Sequence, residues 1–247
     1  MQRTPIPMPE PPLGPLPIIV PRFDDESGMS YVMRSFWSNG LSFDRGFKWL
    51  HIRPGRPLHN RDLQLIAWTM QAPPAWLLSR LLHSTGSVGN AWVALGSHEF
   101  RPGTTLCGRV ARLCPQCIRE RDYCGLSWVL KHVPCCEKHG LPLLERCLHC
   151  GDEISWNRPA IDLCRCGRYF QPVDGGVTMA HSVLEWCRWV SARLMSLEQY
   201  PHQLPLQEDI PRVLNEVSLD AAFRLVEAFG LLHRARSEEH TSELQSH

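Results

Sequence analysis

Four close pairs of potential metal ligands decide the fold of this 247-residue chain: Cys114-Pro-Gln-Cys117, Cys136-Glu-Lys-His139, Cys147-Leu-His-Cys150 and Cys164-Arg-Cys166. Zinc takes four sulfur or nitrogen ligands in a tetrahedron, and a two-residue gap lets one tight turn present two of them. The 18 residues between the first two pairs and the 13 between the last two suit turns that share an ion. Sequential pairing therefore predicts one site of three cysteines and a histidine, and a second site of four cysteines.

Three alternatives to this assignment stay open from the sequence. The first pair can share an ion with the third, and the second with the fourth, in a cross-braced arrangement. Cys135 can replace Cys136, since a three-residue gap to the histidine is also tolerated. The cysteines can also be reduced residues that pack as small apolar groups. That reading applies more to the second site, because the one-residue gap in Cys164-Arg-Cys166 strains a normal metal turn. The other isolated cysteines are predicted to be packing residues: Cys107, Cys124 and Cys187.

Both predicted zinc ions are structural rather than catalytic. Each site is filled by protein side chains and leaves no position for a water molecule. A zinc deaminase needs His or Cys, one residue and Glu, followed by Pro-Cys-x-x-Cys. Here Glu99 directly follows His98, and Pro115 lies inside the metal turn. The chain also lacks HExxH, a P-loop and a glycine-rich dinucleotide motif. We therefore predict no catalytic residues and no enzyme activity.

On either side of the cysteine pairs the chain is predicted to be mostly α-helical. Residues 1–22 contain eight prolines, which predict an extended arm that is either passive or a docking segment, and not a signal peptide. Residues 23–100 show helical spacing, with Asp24 to Ser27 as an acidic first turn. Two short helices around Pro73 and Pro74 fit either a helix-turn-helix or a plain helical hairpin.

The second half of the chain is predicted to hold short strands and then further helices. Residues 101–172 form the tandem zinc-ribbon module, with short strands at 128–133 and 141–144 beside the metal turns. Residues 173–235 return to helical spacing, and Ser218 is a candidate N-cap. Residues 236–247 contain one apolar residue in twelve and resemble translated adaptor sequence, so they are excluded from the fold.

Charge does not indicate strong autonomous binding to nucleic acid or to membranes. The formal net charge is +1, and no apolar run reaches the ~18 residues that a membrane span needs. We therefore expect a cytoplasmic protein. Residues 101–170 carry eleven basic and seven acidic side chains, and seven thiolates with two Zn²⁺ would lower that balance from +4 to about +1. Four arginines beside the first site form a candidate basic edge for binding nucleic acid: Arg109, Arg112, Arg119 and Arg121. The alternative is that these side chains are simply solvated.

The chain resembles the TniQ family of transposon target-site selectors over about residues 17–172. The specific part is the zinc block, with Arg112-Leu-Cys-Pro-Gln-Cys117, Cys136-Glu-Lys-His-Gly140 and Cys147-Leu-His-Cys-Gly151. Supporting features are Pro21, Asp25-Glu26-Ser27, Arg34 and the segment at Trp128. Cys164-Arg-Cys166 departs from the family pattern, where a two-residue gap is more usual.

This resemblance implies an adaptor for DNA transposition. Such proteins recruit an AAA+ transposition ATPase (TnsC/TniB-like), which in turn brings the transposase. Some read target DNA directly, and others dock on a CRISPR effector complex; the chain is short for a direct reader, which favours the second. A homodimer is allowed, nucleoid association is expected during activity, and the N-terminal helices are the expected docking or DNA-binding element. The competing classes are a stand-alone zinc-ribbon DNA-binding transcription regulator and, less compatible with the residues, a metalloenzyme.

Overall fold

The computed structural model describes residues 14–53, 57–85, 92–101, 106–107, 110–172, 178–195 and 213–229. Most of the predicted N-terminal arm and all of the tail at 236–247 lie outside these residues. Within them the chain is a mixture of helices and one small antiparallel sheet, joined by a single cluster of buried hydrophobic side chains. None of the helices in this part of the chain is both long and apolar enough to cross a membrane.

Helix α1 (Gly28–Ser38) starts later than the acidic run suggested. Ser27 is its N-cap and accepts a hydrogen bond from the backbone N–H of Ser30, which satisfies one free donor of the first turn. The predicted acidic first turn is therefore wrong, because the acidic residues precede the helix. Gly28 lies against the carbonyl of Arg80, where an added Cβ would come within 2.7 Å of that oxygen, so the helix begins at a residue without a side chain.

Three short helices complete the N-terminal region: α2 (Phe43–Trp49), α3 (Asn60–Thr69) and α4 (Pro74–Leu78). Pro74 occupies the first position of α4, where a missing N–H costs nothing. Helix α4 has only five residues, and its Leu77 is fully buried in the core. The α3–α4 pair is thus a helical hairpin, and a helix-turn-helix is not confirmed.

A three-stranded antiparallel sheet follows, with the order β1 (His83–Ser84), β2 (Val93–Leu95) and β3 (His98–Phe100). In the register of β2 and β3, Val93 pairs with Phe100 and Leu95 with His98. Its side chains contact the C-terminal helices, since His98 Nε2 lies 2.8 Å from the carbonyl oxygen of Arg193. The sheet therefore links the N-terminal helices to the end of the chain.

The cysteine-rich segment contains helix α5 (Pro115–Arg121) and a 3₁₀ turn at Ser127–Val129. The predicted strand at 128–133 is wrong: Trp128 lies in this turn, with its ring packed over Gly125, and only Leu130 makes an isolated bridge, to Leu106. The predicted strand at 141–144 is reduced to single paired residues: Pro142 opposite Cys135, and Leu144 opposite Leu113. Because strand pairing here is limited to isolated bridges, the local fold depends mainly on the turns that carry the cysteine pairs.

The C-terminal helices are α6 (His181–Met195), α7 (Val213–Glu216) and α8 (219–229). Helix α6 follows the predicted spacing. Ser218 caps α8 as predicted, since its hydroxyl accepts from the backbone N–H of Ala221. The buried ring of Phe223 stacks on His132 at a centroid distance of 4.3 Å. The C-terminal helices therefore pack directly on the cysteine-rich segment.

Candidate metal centres

The first predicted ligand set comes together at the start of α5. Cys114 is the residue before the helix in extended conformation, and Pro115 begins the helix, so that Cys114 and Cys117 lie on the same side of the first turn. The other two ligands lie in a tight turn. That turn is closed by the Gly140 N–H, which donates to the carbonyl of Cys136, and it needs the positive φ of 64° at Gly140.

The four ligand atoms of the first set have the spacing of a tetrahedral zinc site. They all lie within 4.8 Å of one another. The Sγ atoms of Cys117 and Cys136 are 3.5 Å apart, and Nδ1 of His139 is 3.3 Å from the Cys117 sulfur. Zn–S bonds of about 2.3 Å place two thiolates of a tetrahedron about 3.8 Å apart. The residues therefore fit a zinc ion, which would be held by Cys114, Cys117, Cys136 and His139.

The electrostatics of the first set also suit a cation. The thiol of Cys117 accepts hydrogen bonds from Cys114 and Cys136, and these contacts lower its pKa. Hydrogen bonds to neighbouring cysteines raise the pKa of Cys114 and of Cys136, and repulsion from a neighbouring negative charge adds to the rise. Three thiolates at this spacing need a positive ion among them, and Zn²⁺ supplies that charge.

Two charged side chains of α5 surround the first set. Glu120 Oε1 lies 3.2 Å from Nε2 of His139, so the carboxylate orients the imidazole with Nδ1 towards the sulfur atoms. The Lys138 ammonium donates to the same carboxylate and is the main reason why the pKa of Glu120 is lowered to about 2. On the other side, the Arg121 guanidinium donates to the Cys117 sulfur at 3.0 Å. Sequence reasoning did not assign the role of Glu120, although it lies three residues after Cys117 on the helix.

Arg121 also joins the first set to the segment before α1. Its guanidinium pairs with the carboxylate of Asp25, and the Tyr123 hydroxyl donates to the same carboxylate at 2.5 Å. The backbone N–H of Leu126 donates to the Asp25 carbonyl at 2.8 Å. The N-terminal helices therefore depend on the position of α5, and hence on the first metal turn.

The second predicted ligand set also comes together, at the far end of the cysteine-rich segment. The sulfur of Cys147 lies 3.8 Å from that of Cys166, and Cys150 lies 3.9 Å from Cys164. All four sulfur atoms are within 4.8 Å of one another, which fits a four-cysteine zinc site. The one-residue gap is accommodated because the Gly167 N–H closes a turn onto the Cys164 carbonyl. Unlike the first set, this one has two exposed members, Cys150 and Cys166.

The pairing within each set is sequential and not cross-braced. Cys135 points away from the first set, and its thiol donates to Cys187 at 3.3 Å in the core. Cys124 is buried, and the Arg158 guanidinium approaches its sulfur at 3.9 Å. Cys107 is partly exposed and lies outside both sets.

The structure describes three of the four arginines that were predicted as a basic edge. Arg109 lies outside the described residues. Arg112 is buried, because its guanidinium pairs with Glu145 at 2.8 Å and donates to the carbonyl of Leu130. Arg121 is held by the Asp25 carboxylate and the cysteine sulfur described above. Arg119 is exposed and bonds to Gln116. Nucleic-acid binding by these residues stays a prediction, with Arg119 as its accessible member.

Fold and site together define a class: mainly helical proteins with a small sheet and two sets of cysteine and histidine residues that could each hold a metal ion. The TniQ family model matches residues 17–143, just over half of the chain, and the protein belongs to the TniQ family, a family associated with transposition. The match includes the first ligand set and ends before Cys147, so the second set lies beyond it. No curated protein is detectably similar to the chain.

Proposed function

We propose that the protein is a non-catalytic adaptor that selects the target site for DNA transposition. In this role it links a DNA- or RNA-guided targeting complex to an AAA+ ATPase regulator, which engages the transposase. The observation that carries the proposal is membership of the TniQ family, whose match spans the N-terminal helices and the first metal turn as one unit.

The construction of the first metal site supports this role. Three of its ligands are fully buried, and all four coordination positions come from protein side chains. A closed zinc site stabilises a fold and does not activate water. Through Arg121 and Asp25 the same site holds the segment that leads into α1. Such a rigid body suits a protein that holds two partners in fixed relation.

The direct test is a plasmid transposition assay with the transposase, the AAA+ ATPase and this protein from one element. Insertion sites are sequenced with and without the protein, and with and without a guide-RNA effector. We expect insertions at the selected site to need the protein. Cys107→Ser should support them, because Cys107 lies outside both ligand sets, whereas Cys114→Ser should not, because the fold is lost.

Unchanged insertion positions and frequencies in the absence of the protein would contradict the proposal. Binding is measured separately, by comigration of the purified protein with the ATPase in size-exclusion chromatography. A tight footprint on DNA without the ATPase would instead favour the transcription regulator.

A further inference from the structure

A groove of about 460 Å³ lies between α1, the segment 20–21 and the hairpin 160–170. The segment is fixed on the end of α1, because the Asn39 side chain makes two hydrogen bonds to the backbone of Ile18, at 2.9 and 2.8 Å. The hairpin is closed by the Phe170 N–H, which donates to the Asp162 carbonyl. The groove is therefore formed by fixed parts of the fold.

Two aromatic side chains line this groove and are open to solvent. Trp37 is 57 % exposed and Tyr169 is 60 % exposed, whereas Trp128 and Trp189 are buried in the core. Ile18, two residues before the groove-lining Val20, is also more than half exposed. A group of large apolar side chains on a surface often marks an interaction site, whereas single exposed apolar side chains are common.

The groove also contains two carboxylates that form no ion pair within 4 Å among the described residues, although Arg34 and Arg158 are close enough to act on them electrostatically. Asp122 ends α5 in a left-handed conformation, and Asp162 lies in the hairpin. Burial and the nearby Asp162 carboxylate raise the pKa of Asp122, which shows that the two charges affect each other. Arg34 lines the groove too, but its guanidinium is paired with Glu26 at 2.7 Å. The groove therefore carries two carboxylates and one guanidinium between its aromatic side chains.

We propose that this groove binds an arginine side chain of a protein partner. A guanidinium is flat and charged, so it stacks on aromatic faces and forms paired hydrogen bonds with carboxylates. A nucleic acid is disfavoured, because its phosphates would be repelled by Asp122 and Asp162. The inference deepens the proposed adaptor function by giving the chemistry of one partner contact, but it rests on the groove and is tested without transposition.

The test is an NMR titration of the full chain, loaded with zinc, with N-acetyl-arginine-methylamide as the probe. The indole N–H signal of Trp37 is assigned with a Trp37→Phe variant, and Trp68 on α3 is the matched control because it is 48 % exposed and does not line the groove. We expect the Trp37 signal to shift in a saturable manner and the Trp68 signal to stay in place. The uncharged citrulline analogue should bind about tenfold more weakly or worse.

The double variant Asp122→Asn, Asp162→Asn should weaken arginine binding by about tenfold or more. Its zinc content and melting temperature are measured first, and the single Asp122→Asn variant replaces it if the second site has lost zinc. The proposal is overturned by an absent shift at Trp37, by equal shifts with citrulline, or by unchanged binding in the carboxylate variant. A shift of Trp37 by a DNA oligonucleotide that exceeds the shift by arginine would also overturn it.

Discussion

Replacing one cysteine of the first ligand set should unfold the protein, whereas replacing one of the second should not. The sulfur atoms of Cys114, Cys117 and Cys136 lie in the core, and none of these three residues is exposed to solvent. Cys166 is exposed at the end of a hairpin. The variants Cys117→Ser and Cys166→Ser therefore remove the same chemical group from two very different surroundings.

The expected magnitudes follow from this difference. A structural zinc site contributes about 10–16 kcal/mol to folding, and a whole domain is stable by only about 5–15 kcal/mol. Loss of the ion at the first set also leaves two thiols and a serine hydroxyl buried without their partner. The remaining hydrophobic core cannot offset a loss of that size. At the second set the expected loss is smaller, because Cys150 and Cys166 are already exposed to solvent, although the hairpin 160–170 lies against α1.

The assay combines zinc content by atomic emission, thermal unfolding by circular dichroism and hydrogen exchange resolved by peptide. We expect Cys117→Ser to lack a cooperative transition and to lose exchange protection in α1. Cys166→Ser should keep about one zinc ion, a cooperative transition and protection in α6. Cys107→Ser is the control for cysteine replacement as such. An unchanged melting temperature in Cys117→Ser, or equal loss of cooperativity in both variants, would refute the reasoning.

Two further predictions concern carboxylates. Glu120→Ala should weaken zinc binding at the first set by about 10–100-fold, because His139 loses the carboxylate that orients its ring. Competition with a chromogenic chelator measures the affinity, and Asp44→Ala, which removes an exposed ion pair on α2, is the control. Equal zinc affinities in the two variants would contradict the prediction. Burial raises the pKa of Glu26 from 4.5 to about 7, so this carboxyl stabilises the fold below pH 4.5 and loses that contribution as the pH rises through 7. The native protein should therefore lose about 3 kcal/mol of unfolding free energy between pH 4.5 and pH 8 that the Glu26→Gln variant does not lose. Urea unfolding of both proteins at the two pH values measures this loss. A difference between the two proteins that does not change with pH would argue against it.

Several features could be predicted because neighbours in the sequence decide them. The ligand turns depend on gaps of one or two residues, and the structure brings together both predicted sets in sequential order. Helix α6 and the Ser218 cap follow from local spacing and from one side-chain hydrogen bond. The family resemblance depended on the same short motifs, and it is confirmed over residues 17–143.

Other features depend on contacts between residues that are far apart in the chain, and no local pattern carries them. Arg112 and Arg121 read as surface cations, yet Arg112 is buried against Glu145, and Arg121 reaches Asp25 across 96 positions. Trp128 has the β propensity of a strand residue, but packing over Gly125 places it in a turn. The sequence by itself determined which residues form the two candidate ligand sets, because ligands of one turn lie within a few residues of each other. Only the tertiary structure decided which charges are buried, how Arg121 and Asp25 join the first ligand set to the N-terminal helices, and that Trp37 lines one groove with two carboxylates. Those outcomes arise from the packing of distant segments on one core.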